Sequence, residues 1–199
     1  KTLQPLMLTL DPGYQELKAL EPRLHAALQQ LQAQHPGHLR FMPTSMSRDE
    51  NLITGTVTRE DGGKHVLFDV STGALTVLGE ATRSRIHAIS ALPTQAPLAF
   101  QSRDGLALNA YLTLPVGTSG KNLPTVLYVH GGPWARDVWQ NGDPMPAFLA
   151  NRGYAVLQVN YRGSSGYGRA FQDAAQGQFA AKMHDDLLDG VDHLVRQGI

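Results

Sequence analysis

The stretch Leu123 to Gly168, LPTVLYVHGGPWARDVWQNGDPMPAFLANRGYAVLQVNYRGSSGYG, constrains the fold of this chain more than any other. An apolar run, Thr125 to Val129, leads into His-Gly-Gly-Pro and then a helix-sized segment. A second apolar run, Tyr154 to Val159, ends in Asn-Tyr-Arg-Gly-Ser-Ser-Gly-Tyr-Gly. Two buried-type strands separated by a helix predict a β-α-β unit, the building block of a parallel sheet. Glycines crowd the end of each run, at the sheet edge where ligands and substrates sit in such folds.

Composition narrows the possibilities mainly by exclusion. The formal net charge is +0, so neither nucleic acid nor an anionic membrane surface is indicated as a partner. No apolar run approaches the roughly 18 residues of a membrane-spanning helix. The opening KTLQPLMLTL has neither Met nor the charged-apolar-small layout of a secretory signal, and it reads as an internal start. Without cysteine there are no disulfides and no thiolate metal sites. The chain reads as soluble, and the compartment stays open between cytoplasm and periplasm or exterior.

Upstream, Leu17, Leu20, Leu24, Leu28 and Leu31 recur three or four residues apart and predict one apolar helix stripe within 14–34. Pro22 then either breaks that helix near Glu21 or opens a second one, and Gly37 ends it. Residues 39–80 predict an antiparallel meander. The strand Leu52–Thr58 meets a turn at Glu60–Gly63, His65–Val70 follows, and Ser71–Gly73 turns into Ala74–Leu78. This is the pattern of one propeller blade, which needs neighbours to cover its faces. Pro93 and Pro97 bracket a linker-like segment, and Leu98–Ser102 and Leu106–Leu114 flank Arg103-Asp104-Gly105 as a hairpin. The last predicted helix, Phe179–Gln197, carries Met183, Leu187, Val191 and Leu194/Val195 on its apolar side and is capped by Gly198. Asp185, Asp186, Asp189 and Asp192 fall outside that stripe and read as solvated. Asp185, Asp186, Asp189 and His193 lack the H-E-x-x-H pattern, so no metal site is assigned and no cofactor is implied.

The order hairpin, strand, helix, strand, helix, with His-Gly-Gly-Pro after the first parallel strand, fits the N-terminal half of an α/β-hydrolase domain. Acyl transfer develops negative charge on a carbonyl oxygen, and preorganised backbone amides can stabilise it. Glycines let the backbone approach without a Cβ in the way. The Gly132 amide is the candidate oxyanion-hole donor, and Gly131 shapes the turn. His130 precedes every other candidate, whereas a triad histidine in this fold follows the nucleophile, so a structural role is assigned to it. The nucleophile itself requires G-x-S-x-G. Ser164 is flanked by Arg162 and Gly166, Ser165 by Gly163 and Tyr167, and Ser119 by Gly117 and Lys121, so none matches. Gly120-Lys121 lacks the flanking residues of a phosphate loop, and Gly163, Gly166 and Gly168 run in reverse order to the dinucleotide fingerprint.

The motifs SRDGLALNAYLTLP, LPTVLYVHGGPWARD, FLANRGYAVLQVNYRGSSGYGRAF and KMHDDLLDGVDHLVRQGI together resemble the prolyl oligopeptidase family, in its acylaminoacyl-peptidase and dipeptidyl-peptidase-like branch. The resemblance covers Pro97 to Ile199, and more weakly Leu39 to Leu78 as the closing blade of a propeller. It implies a serine peptidase or esterase with a Ser-Asp-His triad acting on short peptides. It divides the chain into 1–92, the end of a propeller-like region with a helical segment, and 93–199, the first part of the catalytic domain. The triad residues have no counterparts in this chain, so it is expected to be inactive alone and to need the rest of the catalytic domain and propeller. Without a nucleophile strand beside it, Thr125–Val129 is expected to be an exposed edge. A non-catalytic binding module made of a blade and a half-sheet is the alternative.

Overall fold

The computed structural model describes residues 4–59, 62–80, 92–140 and 142–199. The chain divides into two compact units, Lys1–Ser90 and Ala91–Ile199, each with its own apolar core.

The first unit opens with the strands β1 (Met7–Leu10) and β2 (Glu16–Ala19), paired antiparallel, followed by α1 (Pro22–Gln34). The leucine stripe therefore spans two kinds of structure. Leu24, Leu28 and Leu31 lie buried on α1, which Pro22 opens as one of the two expectations had it, while Leu17 lies on β2 and Leu20 precedes the helix, so the helical reading fails only before Pro22. The physical reason is Pro22, which has no N–H to bond backwards and occupies the first helical position, where none is required. The Glu21 carboxylate accepts from the Leu24 amide at 3.1 Å and caps the helix there. The helix closes at His35, and Gly37 lies two residues further on with φ +97°.

Four strands follow in sheet order β3-β4-β5-β6: β3 (Arg40–Met46), β4 (Leu52–Arg59), β5 (Gly62–Asp69) and β6 (Leu75–Glu80), each antiparallel to the next. This is the expected meander with one further strand, β3, at its start. The turn predicted at 60–63 falls partly outside the described residues. Register slips between Pro43 and Ser45, on an edge strand where a proline without a donor is tolerated. Phe41, Ile53, Val57, Val66 and Phe68 from one face pack with Leu24, Ala27, Leu28 and Leu31 of α1. Glycine is required at position 55, because a Cβ there would lie 2.6 Å from the Met42 carbonyl oxygen.

The second unit is a mixed sheet in the order β7-β8-β10-β9. The strands are β7 (Thr94–Gln101), β8 (Ala107–Leu114), β9 (Thr125–Leu127) and β10 (Ala155–Asn160). The segment 93–97 is no linker: Thr94 to Pro97 pairs with β8, and Pro97 is accommodated because β7 is an edge. β8 and β10 run antiparallel, and β10 and β9 run parallel, joined through α2 (Met145–Ala150) as the β-α-β reading requires. All six residues of β10 are buried, the mark of a central strand covered on both faces. β9 forms the opposite edge, with Thr125 exposed at its start and Val129 exposed two residues beyond its end. The short α3 (Arg169–Asp173) precedes α4 (Lys182–Gln197), which begins three residues later than expected and ends on Gly198 in the left-handed conformation. Leu194 and Met183 bury against the sheet, and Gly190 lets the helix come within contact of Val159 and Phe100.

Candidate functional site

Two loops leave the same end of the parallel pair: residues 128–139 after β9 and residues 161–168 after β10. The first carries His130, Gly131 and Gly132. Both glycines are exposed, Gly132 has φ +139°, and the Gly132–Pro133 peptide is cis. A Cβ at position 132 would sit 2.7 Å from the Trp134 amide nitrogen, so no larger residue fits this turn unchanged. Among the described residues, no protein acceptor takes the Gly132 N–H.

The second loop is the seat of the first. Tyr161 donates its hydroxyl to the His130 carbonyl at 3.0 Å, and its ring stacks on the His130 imidazole at 4.7 Å. Ser164 donates to the Tyr161 carbonyl at 2.7 Å and pairs with His130 Nε2 at 3.0 Å. The Ser165 amide donates to the Ala135 carbonyl at 2.9 Å. Gly163 lies beneath Pro133 so closely that a Cβ would come within 2.9 Å of the proline ring. Arg136 lies over the Tyr167 ring at 4.3 Å and donates to its hydroxyl.

A buried polar network supports the far side of the first loop. Asp137 and Asn160 hold each other through two bonds: the Asp137 amide donates to Asn160 Oδ1 at 2.7 Å, and Asn160 Nδ2 donates to the Asp137 carbonyl at 2.9 Å. Gln158 donates to Asp137 Oδ1, Gln95 donates to Gln158, and the buried Trp139 donates its indole N–H to the Gln95 carbonyl. Asp137 Oδ2 is buried without a partner. Burial pushes the Asp137 carboxyl above the usual carboxylate range, with the nearby His130 pulling the other way.

Ser164, His130 and Asp137 match a catalytic triad in composition but not in geometry. Ser164 is 0% exposed and already donates to a carbonyl, so no substrate reaches its hydroxyl. His130 Nδ1 lies 2.9 Å from the Gly131 carbonyl rather than against Asp137. The three hold the loop in shape, consistent with the structural role assigned to His130.

The helix-surface carboxylates require a correction. Asp186 and Asp189 are buried, not solvated. Asp186 receives Arg162 through Nε at 2.9 Å and Nη2 at 2.7 Å, and Asp189 receives Arg103 through its amide and Nε. Sequence periodicity places these acids off the leucine-type stripe, but it cannot show that two arginines from other segments reach them. His193 stacks on Phe100 at 5.4 Å. Among the described residues no group of three or more His, Asp or Glu is placed to hold a metal. Asp137, Asn160 and Arg162 are the residues that sequence reasoning missed. For Asn160 and Arg162 the one legible signal is the polar Asn-Tyr-Arg at the end of an entirely buried strand; Asp137 has none.

This is a mixed-sheet α/β arrangement in which a glycine loop follows a parallel strand, and the relatives of the chain are peptidases. Residues 141–199 match the sequence profile of the prolyl oligopeptidase family. Dipeptidyl aminopeptidase BIII of Pseudoxanthomonas mexicana is 40% identical over 191 residues, 92% of this chain and 27% of that protein. The acylaminoacyl peptidase of Pyrococcus horikoshii superposes with a TM-score of 0.67 at 20% identity, over 96% of this chain and 29% of that one. A puromycin-hydrolyzing peptidase of Mycobacterium tuberculosis gives a TM-score of 0.58 at 28% identity, over 75% of this chain and 23% of that one. The chain is thus similar to the prolyl oligopeptidase family, whose profile it carries over residues 141–199. It spans about a quarter of the length of these relatives. Among the described residues, no helix is long and apolar enough to cross a membrane.

Proposed function

We propose that this chain carries the oxyanion-binding side of a serine-type peptidase that cleaves peptide, acyl-peptide or ester bonds through an acyl-enzyme. In this reading 93–199 is the first part of an α/β-hydrolase catalytic domain, and 1–92 is the end of a propeller-like region. The substrates are short peptides. The remainder of the catalytic domain and of the propeller are the partners that complete the site.

One observation supports this most: Gly132 is an exposed residue on the loop that follows a parallel strand, that loop is held from behind, and no protein acceptor takes its N–H among the described residues. A donor fixed before the reaction stabilises charge that appears only in the transition state, without reorganising at that moment. Gly132, at φ +139°, sets the turn beside Gly131, and Pro133 rests on Gly163 to hold it.

Within this chain the buried Ser164 is no nucleophile, so a serine-directed phosphonate probe is expected to leave the chain unlabelled. Stoichiometric labelling of any of its serines would contradict that. In a peptidase carrying this chain, Gly132→Ala keeps the N–H but sets a Cβ 2.7 Å from the Trp134 amide nitrogen and so displaces the donor; kcat is expected to fall by up to the roughly 10²–10³-fold that loss of one oxyanion donor costs, with little change in KM. An unchanged kcat would remove Gly132 from the oxyanion role.

A further inference from the structure

Arg162 is 4% exposed and sits one residue after the tyrosine that holds His130. Its guanidinium grips two carboxylates from two separate elements. Asp186 on α4 takes Nε and Nη2, and also the Arg162 amide at 2.8 Å. Asp104 in the β7–β8 hairpin turn takes Nη1 at 3.0 Å and Nη2 at 2.8 Å. Asp104 is itself fixed by Ser102 Oγ at 2.6 Å and by Lys182 Nζ at 3.0 Å. These bonds to Arg162, Ser102 and Lys182 hold the Asp104 carboxyl far below the usual carboxylate range.

Stability alone does not call for this arrangement. A buried ion pair seldom stabilises more than a well-packed apolar cluster of equal volume, because both charges lose their water. What a planar fork on two carboxylates does supply is orientation, since bidentate bonds fix direction as well as distance. The segment so oriented, Tyr161 to Ser165, makes each of the described contacts that seat His130, Pro133 and Ala135.

We infer that Arg162, held by Asp186 and Asp104, is a positioning residue that sets the placement of the Gly131–Gly132 loop. Arg162 touches neither glycine; it acts through Tyr161, Gly163, Ser164 and Ser165. The hairpin turn of β7 and β8 and the start of α4 thereby become part of the machinery that aims the Gly132 amide. The consequence for catalysis rests on the oxyanion reading above, while the mechanical claim does not.

The test follows amide exchange in the whole chain, residue by residue. Arg162→Lys keeps the charge and loses the fork; Asp104→Asn loosens one side of it from a partly exposed position. Both are expected to raise exchange at the Ser165 amide, which bonds to Ala135, by about tenfold or more, with the β10 amides holding near wild type. Arg103→Lys, which disturbs a neighbouring ion pair that touches neither loop, is expected to leave Ser165 unchanged. Ser165 exchange equal to wild type in both variants overturns the inference, as does equal loosening of β10 and Ser165. If Arg162→Lys fails to fold, Asp104→Asn decides alone. In a peptidase carrying this chain, a fall in kcat at constant KM in Asp104→Asn supports the inference together with the oxyanion reading. A loosened Ser165 with unchanged kcat supports the positioning role and overturns the oxyanion reading instead.

Discussion

In the sheet β3–β6 and its helix α1, the groups shut away from water are Leu24, Leu28, Leu31, Phe41, Ile53, Val66 and Phe68, with the Arg40–Asp11 pair at the margin. Around the ends of β9 and β10 they include Asp137, Gln158, Asn160, Arg162, Ser164 and Asp186. Apolar packing is non-directional, so the first region tolerates changes that keep volume and pattern. Each polar group in the second must meet a partner at bonding distance, or its lost hydration goes uncompensated. The contrast separates a region held by apolar packing from one held by directed polar contacts.

The sharpest way to break this comparison is Arg162→Met. It leaves Asp186, at 0% exposed, without its cation, and removal of one member of a buried pair costs about 3–5 kcal/mol. Both tryptophans, Trp134 and Trp139, lie in the second unit, so denaturant unfolding followed by their fluorescence reads that cost directly. A loss below about 1 kcal/mol would show that the polar seat is as forgiving as an apolar core. In the first unit, Ile53→Val removes one methylene from a residue 2% exposed and is expected to cost about 0.5–1.5 kcal/mol. Exchange of the β4–β5 amides measures it, and a larger loss would mean this core is fitted as tightly as the ionic seat.

The smallest effect has the opposite sign. Burial raises the Asp137 carboxyl above its ordinary value of 3.8, so in the folded chain it holds its proton longer than in the unfolded one. The stability this group lends is present below the unfolded value and is lost as pH rises through the folded one. Asp137→Asn cannot lose a proton, so its stability relative to wild type is expected to improve as pH is raised from acid towards neutrality. Urea unfolding across that window tests it, and a difference that does not change with pH would refute it.

Much of this was legible in the residues. The two apolar runs of Leu123–Gly168 predicted strands that pair in parallel, and they do. The meander was visible in its turns, because Ser71-Thr-Gly73 needs a residue at positive φ, and Gly73 has φ +68°. The leucine stripe misled across Pro22 because spacing alone records where apolar groups recur, not whether the intervening backbone can donate. Likewise, Thr94–Pro97 looked like a linker because two prolines read as punctuation. Pairing with β8 overrode that signal at a sheet edge, where a missing donor goes unnoticed.

The sequence by itself determined the hairpin-strand-helix-strand-helix order of the second unit, its β-α-β unit, the turn at Gly132 and the absence of any G-x-S-x-G serine within these residues. Those are local properties, set by side-chain period and by what glycine and proline permit the backbone. The tertiary structure alone decided that Arg162 meets Asp104 and Asp186, residues 58 and 24 positions away, and that Ser164 is buried under His130. Such contacts depend on how the sheet brings distant loops to one end, and no periodicity encodes a pairing between charges whose separation is fixed only by the fold.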